Sequence, residues 1–312
     1  MSIFRRLRAS GPRVRPELDD VQLGRVRRQL GSAGRLAPDD IQIDQVERLL
    51  LEAGRDPDRR AHRFAVLAEA AAPSAFSRSW RLRRRGADPM VFEGWVELVR
   101  GRAAGRMDDA RAAADHCYRA AEVAPGDPMP WVVLLGILRL MRAEPRQLYA
   151  VLAEVTSRDP WNREASLQML RYLSPEECGS RSSQLDFVET LRASAPPASP
   201  VAGVELVALV DEHDRTAAKG GVEALLARRL WTHSRAAGAL DAALAAWPRQ
   251  GHLRHATALA DLNLLAYALV QAGRVREAGA VFEAIGDTVT EWPWSLDGDP
   301  IERFTYWQAK AL

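Results

Sequence analysis

Apolar residues along the chain recur at helical spacing in blocks of roughly 10–16 residues, separated by Gly, Pro and Asp. Ile41–Ala53 places Ile43, Val46, Leu49 and Leu50 on one face, and Phe64, Leu67, Ala68 and Ala71 mark a second block. Phe92–Val99, Trp131–Leu140, Val201–Val210 and Val222–Trp231 follow the same rule. No run alternates Val, Ile, Thr and Tyr with polar residues, and no Asn-Gly or Asp-Gly joins two such runs, so strands are not expected.

The punctuation repeats. Asp88-Pro89-Met90 precedes one block and Asp127-Pro128-Met129 the next, 39 residues later; Asp159-Pro160-Trp161 comes 32 residues after that, and Asp299-Pro300 opens the last segment. An Asp carboxylate accepts from the free N–H groups of a first helical turn, and Pro tolerates that turn because its missing N–H has no intrahelical role, so each Asp-Pro reads as a helix start. Two helices and two turns fill such a spacing, which is the period of helical-hairpin repeats. Leu262, Leu265, Ala266, Leu269, Gly273, Ala278 and Phe282 have the order of a tetratricopeptide repeat, with small residues where two helices approach. Looser copies run from Gly101 through Gly105, Ala110, Ala113, Tyr118 and Ala120 to Pro125, and from Trp131 through Leu134, Leu148 and Leu152 to Pro160. The expected fold is all-α, a tetratricopeptide-like superhelix of helical hairpins, or α-solenoid. The expected divisions are a flexible basic arm at 1–17, a stack at 18–195, a Pro-rich break at 196–200, and a stack at 201–312 closed by aromatic residues, either separate from the first or continuous with it.

The stretch Arg59–Glu69 resembles the opening of an actinobacterial tetratricopeptide-like family of unknown function. So do Leu262–Arg274, Phe282–Gly286 and the ending Trp294 to Asp299-Pro300, and Ser174–Pro200 departs from the pattern. The resemblance implies a helical-repeat fold over about residues 20–308 and carries no catalytic residues across.

Composition narrows the function classes. The 312 residues carry 43 Lys+Arg against 41 Asp+Glu, a net charge of +2, which argues against a nucleic-acid-coating role. Lys219 and Lys310 are the only lysines. The hydrophobic fraction of 47% and charged fraction of 27% suit a folded globular protein. Cys117 and Cys178, each in a stretch that reads as helical, are too few for a disulfide scaffold and are expected as reduced thiols. The basic start has no apolar core of a secretory signal, and the longest apolar run, Trp131–Leu138, stops at Arg139. A cytoplasmic protein without a membrane span is expected.

Phosphate loops, dinucleotide fingerprints, H-E-x-x-H, G-x-S-x-G and C-x-x-C are absent, which lowers the expectation of catalysis and of a cofactor without removing it. His252 and His255, spaced i, i+3 as on one helix face, with Asp211, Glu212, His213 and Asp214, are the best metal-like grouping; solvated helix ends are the plainer reading. His116 and Cys117 are adjacent and so point to different helix faces, which opposes a joint nucleophile. Arg5, Arg6, Arg8, Arg13 and Arg15, with Phe4, form one basic run, and Arg78, Arg81, Arg83, Arg84 and Arg85 around Trp80 another. Solvated surface is expected of both, and nucleic acid is not the expected partner. Trp292, Trp294, Phe304, Tyr306 and Trp307 are expected to close the end of the core, with Pro293 fixing a loop between the two tryptophans.

In such stacks the first helix of each hairpin lines a concave surface. That places Asn263, Tyr267 and Gln271 on one stripe, Glu93, Glu97 and Arg100 on a second, and Arg139 on a third. The leading expectation is a non-catalytic scaffold holding a protein or peptide in this groove. Alternatives are an enzyme or small-molecule binder near His252, His255, Asp261 and the C-terminal tryptophans, and a regulator touching nucleic acid through the Arg runs. The sequence leaves the oligomeric state open.

Overall fold

The structure is a computed structural model and describes residues 11–31, 39–54 and 56–312. Among these residues it is all-helical, with sixteen α-helices and one pair of two-residue strands. The chain divides into two compact units, the larger made of Asp20–Ala208 with Leu253–Thr257, the smaller of Leu209–His252, Ala258–Leu312 and the described part of Met1–Asp19.

The larger unit holds α1 (Val21–Gly31), α2 (Asp39–Glu52), α3 (Pro57–Ala71), α4 (Phe76–Arg83), α5 (Ala87–Ala104), α6 (Ala110–Val123), α7 (Met129–Leu140), α8 (Pro145–Thr156), α9 (Arg163–Tyr172) and α10 (Arg181–Ser194). The beginning of α11 (Val204–Ala218) also belongs to it. The odd-numbered helices form a row, α1 on α3 on α5 on α7 on α9, flanked by α2, α4, α6 and α8. Within the row α5 and α7 are buried on nearly every face rather than along one stripe. Gly136 of α7 permits the contact: a Cβ there would lie 2.5 Å from the Leu98 side chain of α5. Gly94 does the same for α5, where a Cβ would meet Val133 at 3.2 Å and the Cys117 sulfur at 3.3 Å. Phe64, Phe76, Trp80, Phe92 and Trp95 interlock beside them, with Trp80 and Phe92 centred 5.1 Å apart. Burying each such ring contributes about 2–3 kcal/mol.

Charged side chains of the row collect at helix ends. Asp58, Asp88 and Glu164 stand in the first turns of α3, α5 and α9, and Arg102, Arg139 and Arg171 in the last turns of α5, α7 and α9. Each sign matches the partial charge of its helix end. Asp-Pro marks these starts with variable phase. Asp299 caps its helix directly, accepting from Ile301 and Glu302 N–H. Asp88 lies one residue inside α5, and Asp127 accepts from Met129 N–H at 2.9 Å just before α7. Asp159 instead forms a turn and accepts from the Asn162 amide, and Asn162 caps α9.

The smaller unit contains β1 (Arg13–Val14), the rest of α11, α12 (Gly221–Leu230), α13 (Ser234–Ala246), α14 (Ala258–Gln271), α15 (Gly279–Ile285), β2 (Thr288–Val289), a 3-10 turn at Trp294–Asp297 and α16 (Pro300–Ala311). β1 and β2 pair in parallel, with Arg13 N–H donating to Asp287 O and Arg15 N–H to Val289 O, both at 2.9 Å. Arg15 also pairs with the Asp287 carboxylate at 2.8 Å. The basic arm expected over 1–17 therefore ends earlier: backbone pairing and the Asp287 charge fix residues 13–15, while Phe4, Arg5, Arg6 and Arg8 lie outside the described residues.

The Pro-rich break is no boundary either. Arg163 Nη1 donates to Pro200 O at 2.8 Å, Ser199 and Val201 are buried, and the division falls within α11. Ser174–Pro200 contains α10, and Cys178 sits exposed in the turn before it rather than in a helix. No helix among the described residues is long and apolar enough to cross a membrane.

Asp20 anchors the start of the larger unit. It accepts from Leu23 N–H at 2.9 Å and from Arg63 Nε at 2.8 Å, and the buried Arg63 also donates to Leu49 O. Burial pushes the Asp20 carboxyl up, but the Leu23 N–H, the Arg63 hydrogen bond and charge, and His62 together hold it below its ordinary value. Its stabilisation is therefore present above the ordinary carboxylate pKa and is lost as pH falls through the depressed one. Asp20→Ala should lower unfolding stability at pH 7 by about 2–4 kcal/mol, and the gap should shrink below pH 4 in urea titrations of both chains.

Candidate functional site

The first turns of the row helices bring carboxylates together along one edge of the larger unit. Asp56 caps α3, accepting from Arg59 N–H at 3.0 Å, and Pro57 follows at the first helical position. Arg60, one turn further, pairs with Asp88 of α5 and, at 3.3 Å, with Asp127 ahead of α7. Its guanidinium lies 5.0 Å from the Phe64 ring centre, so the cation rests on the aromatic core while neutralising two helix starts.

Asp58 differs from its neighbours. It accepts from the backbone N–H of Ala256 at 2.5 Å, a contact spanning 198 residues of sequence. Burial raises its pKa, against the Ala256 N–H and the charges of His255 and Arg163, and Asp56 adds to the rise. Burial also raises Asp159, with Asp56 contributing. The edge thus sets Asp56, Asp58 and Asp159 against Arg163 and His255. Chemically it can accept hydrogen bonds from an extended backbone and balance a cation.

Sequence inspection reads the Asp-Pro pairs only as helix starts and passes over Asp56-Pro57. Its signal is present: Asp56 precedes Asp88 by the same 32 residues that separate Asp127 from Asp159. The docking of Leu253–Thr257 has no local signal.

The residues expected to line a groove lie elsewhere, most of them with partners inside the fold. Asn263 is fully buried: its amide donates to Leu259 O at 2.9 Å and Thr288 O at 3.0 Å, and its oxygen accepts from Thr290 N–H at 3.3 Å and Trp294 Nε1 at 3.0 Å. Tyr267 is buried edge-on to Trp294, and burial together with Asp297 raises its pKa. Gln271 donates to Asp297 at 2.6 Å. All three face β2 and the loop that follows, because α14 is buried on every side from Asp261 to Val270.

In the larger unit Glu93 is buried against Arg81 and His116. Arg100 pairs with Glu97 and donates to Ala72 O and Ser74 O, which closes the end of α3. Arg139 is buried, donates to Gln168 at 2.8 Å and lies 3.3 Å from Glu177, and burial pulls its pKa down to about 10. No solvated stripe joins these residues.

The other candidates separate similarly. His252 and His255 precede α14 in irregular backbone and fall in different units, so no helix face presents them together. His255 Nδ1 is 3.1 Å from Thr257 Oγ1. Asp211–Asp214 lie within α11 rather than at a helix end, and His213 is buried beside Trp231, whose Nε1 donates to it at 3.1 Å. No group of three or more His, Cys, Asp or Glu among the described residues is arranged to hold a metal ion. Cys117 lies in the core, and burial pushes its thiol up to about 12, so it is poorly suited to nucleophilic chemistry. His116 is lowered by burial despite Glu93.

The second Arg run meets acids rather than solvent alone: Arg83 pairs with Asp39 and Asp40, Arg84 with Asp40, Asp44 and Glu47, and Arg81 with Glu93. Trp294 and Phe304 are fully buried with Phe282, as core closure requires. Trp292 and Tyr306 are exposed, and Lys310 lies over Tyr306 and Trp307.

Asn263→Ala should act on stability, because it strands Trp294 Nε1, Thr288 O and Thr290 N–H. A loss of about 2–5 kcal/mol is expected in urea unfolding, against about 1 kcal/mol for Tyr267→Phe. Equal, near-zero effects would show that neither side chain organises the β2 loop.

No family model, curated protein or solved structure matches the chain.

Proposed function

We propose that this chain is a tetratricopeptide-like helical-repeat scaffold, akin to the actinobacterial proteins its sequence resembles, that binds a protein or peptide partner in the cytoplasm. The observation that carries the reading is the row α1, α3, α5, α7 and α9, in which each helix packs on the next odd-numbered one with even-numbered helices alongside. Stacked hairpins of this kind offer extended surfaces and need no catalytic centre.

The row favours one part of the surface for a partner. The faces of α5 and α7 are buried, which leaves the helix ends. The edge bearing Asp56, Asp58, Asp88, Asp127 and Asp159 gathers groups that accept from backbone N–H or pair with cations. A partner with a non-helical, basic segment suits it.

The test is photo-crosslinking in the native host, with a benzophenone amino acid placed at three exposed positions. Arg59 and Gly126 lie on the acidic edge, and Ala104 lies at the opposite end of α5. The expected outcome is one partner crosslinked from Arg59 and Gly126 and absent from Ala104. Crosslinks from Ala104 alone would move the surface, and none from any position would overturn the scaffold reading.

A further inference from the structure

The segment Leu253–Thr257 is the one stretch of the larger unit that lies outside Asp20–Ala208 in sequence, and the residues on both sides of it belong to the smaller unit. It contains neither helix nor strand, since α14 begins only at Ala258. Its backbone groups therefore need partners from other parts of the chain. Ala256 N–H finds one in the Asp58 carboxylate at 2.5 Å, a charge-assisted bond to main chain. None of the five residues is fully buried, and the Ala256–Asp58 bond gives the segment a polar hold.

Its chemistry matches the edge on which it rests. Arg254 and His255 precede the donating Ala256, and the His255 charge acts on Asp58 together with that of Arg163. From the larger unit, Asp56 is the carboxylate nearest in influence to both Asp58 and Asp159. A short irregular run of two basic residues and a small one, bending at His255 and turning at Ala256, is thus already seated on a site whose acceptor is a half-buried carboxylate.

We propose that Leu253–Thr257 is a resident peptide, occupying in cis the place of a non-helical, turn-forming basic–basic–small segment of a partner protein. The proposal rests on the scaffold reading above and names the partner class for the Asp56–Asp58–Asp159 end of that edge. The partner segment donates a backbone N–H to Asp58, as Ala256 does, and sets a cation near that carboxylate, as His255 does. Being tethered, the resident segment competes at an effective concentration on the order of millimolar, so a partner gains access in proportion to how far its own affinity exceeds that.

The probe is a fluorescein-labelled peptide copying residues 251–258, titrated against the full chain and against a full-length chain in which residues 253–257 are replaced by Gly-Ser-Gly-Ser-Gly. Binding to the replaced chain should be at least about tenfold tighter than to the wild type. It should be lost on adding Asp58→Ala, and lost again when the peptide carries an N-methyl group at the position of Ala256. Equal affinity for the two chains, absence of binding to a folded replaced chain, or an N-methylated peptide that binds as well as the parent would each overturn the proposal.

Should the replaced chain fail to fold, hydrogen exchange on the wild type and on Asp58→Ala decides. The amide of Ala256 should exchange at least about tenfold faster in the variant while the α5 and α7 amides keep their rates. An unchanged rate at Ala256 refutes the resident peptide. Failure here with crosslinks intact at Arg59 removes the resident peptide and leaves the scaffold. Peptide exchange with no crosslinked partner does the reverse.

Discussion

Helices α5 and α7 meet where Gly136 admits the Leu98 side chain, and neither keeps a broad solvent face. Close approach of this kind fills the interior to crystal-like density and leaves little room for an unpaired polar group along either helix. The charged residues that do occur there are paired, as Glu93 is with Arg81 and His116 and Arg139 with Gln168 and Glu177. Asp58, Asp88, Glu164, Arg102 and Arg171 stand instead at the helix ends, where the exposed N–H and C=O groups reward opposite charge. The acidic edge is in this sense a by-product of the packing: the first turns are where the row can carry charge.

The smaller unit solves a similar problem with one side chain. Asn263 satisfies four backbone and side-chain groups at once and so draws α14, β2 and the Trp294 turn into a single polar joint inside an aromatic core. Arg60 is its counterpart in the larger unit, linking the starts of α3, α5 and α7 through one guanidinium. Both are cases in which a single multivalent side chain ties elements that apolar contact alone would orient only loosely.

The helical character was legible because 3.6-residue periodicity is local: the expected blocks match α2, α7 and α12 to within a few residues and cover only part of α3, α5 and α11. The placement of the polar stripe was not. It assumed one apolar face per helix, whereas Leu264 and Ala268 flank Asn263 and Tyr267 and mark α14 as apolar all round. The Arg78–Arg85 run read as solvated because its counter-charges, Asp39, Asp40, Asp44 and Glu47, come from a different helix. The Asp-Pro spacing read only as a series of helix starts, although it carries the positions of the acidic edge, and the contact of that edge with residue 256 lies nearly 200 positions away, where no local pattern encodes it.

β1 pairs with β2 across most of the sequence, and the Arg15–Asp287 bond beside them spans 272 positions. During synthesis at about 5–20 residues per second, that separation corresponds to roughly 14–54 seconds in which β1 has emerged and its partner has not. The helices of Asp20–Ala208 contact near neighbours and can form as they leave the ribosome. The smaller unit cannot. Its first strand, Arg13–Val14, waits unpaired until Thr288–Val289 has been made, and over that interval it is open to chaperones and proteases.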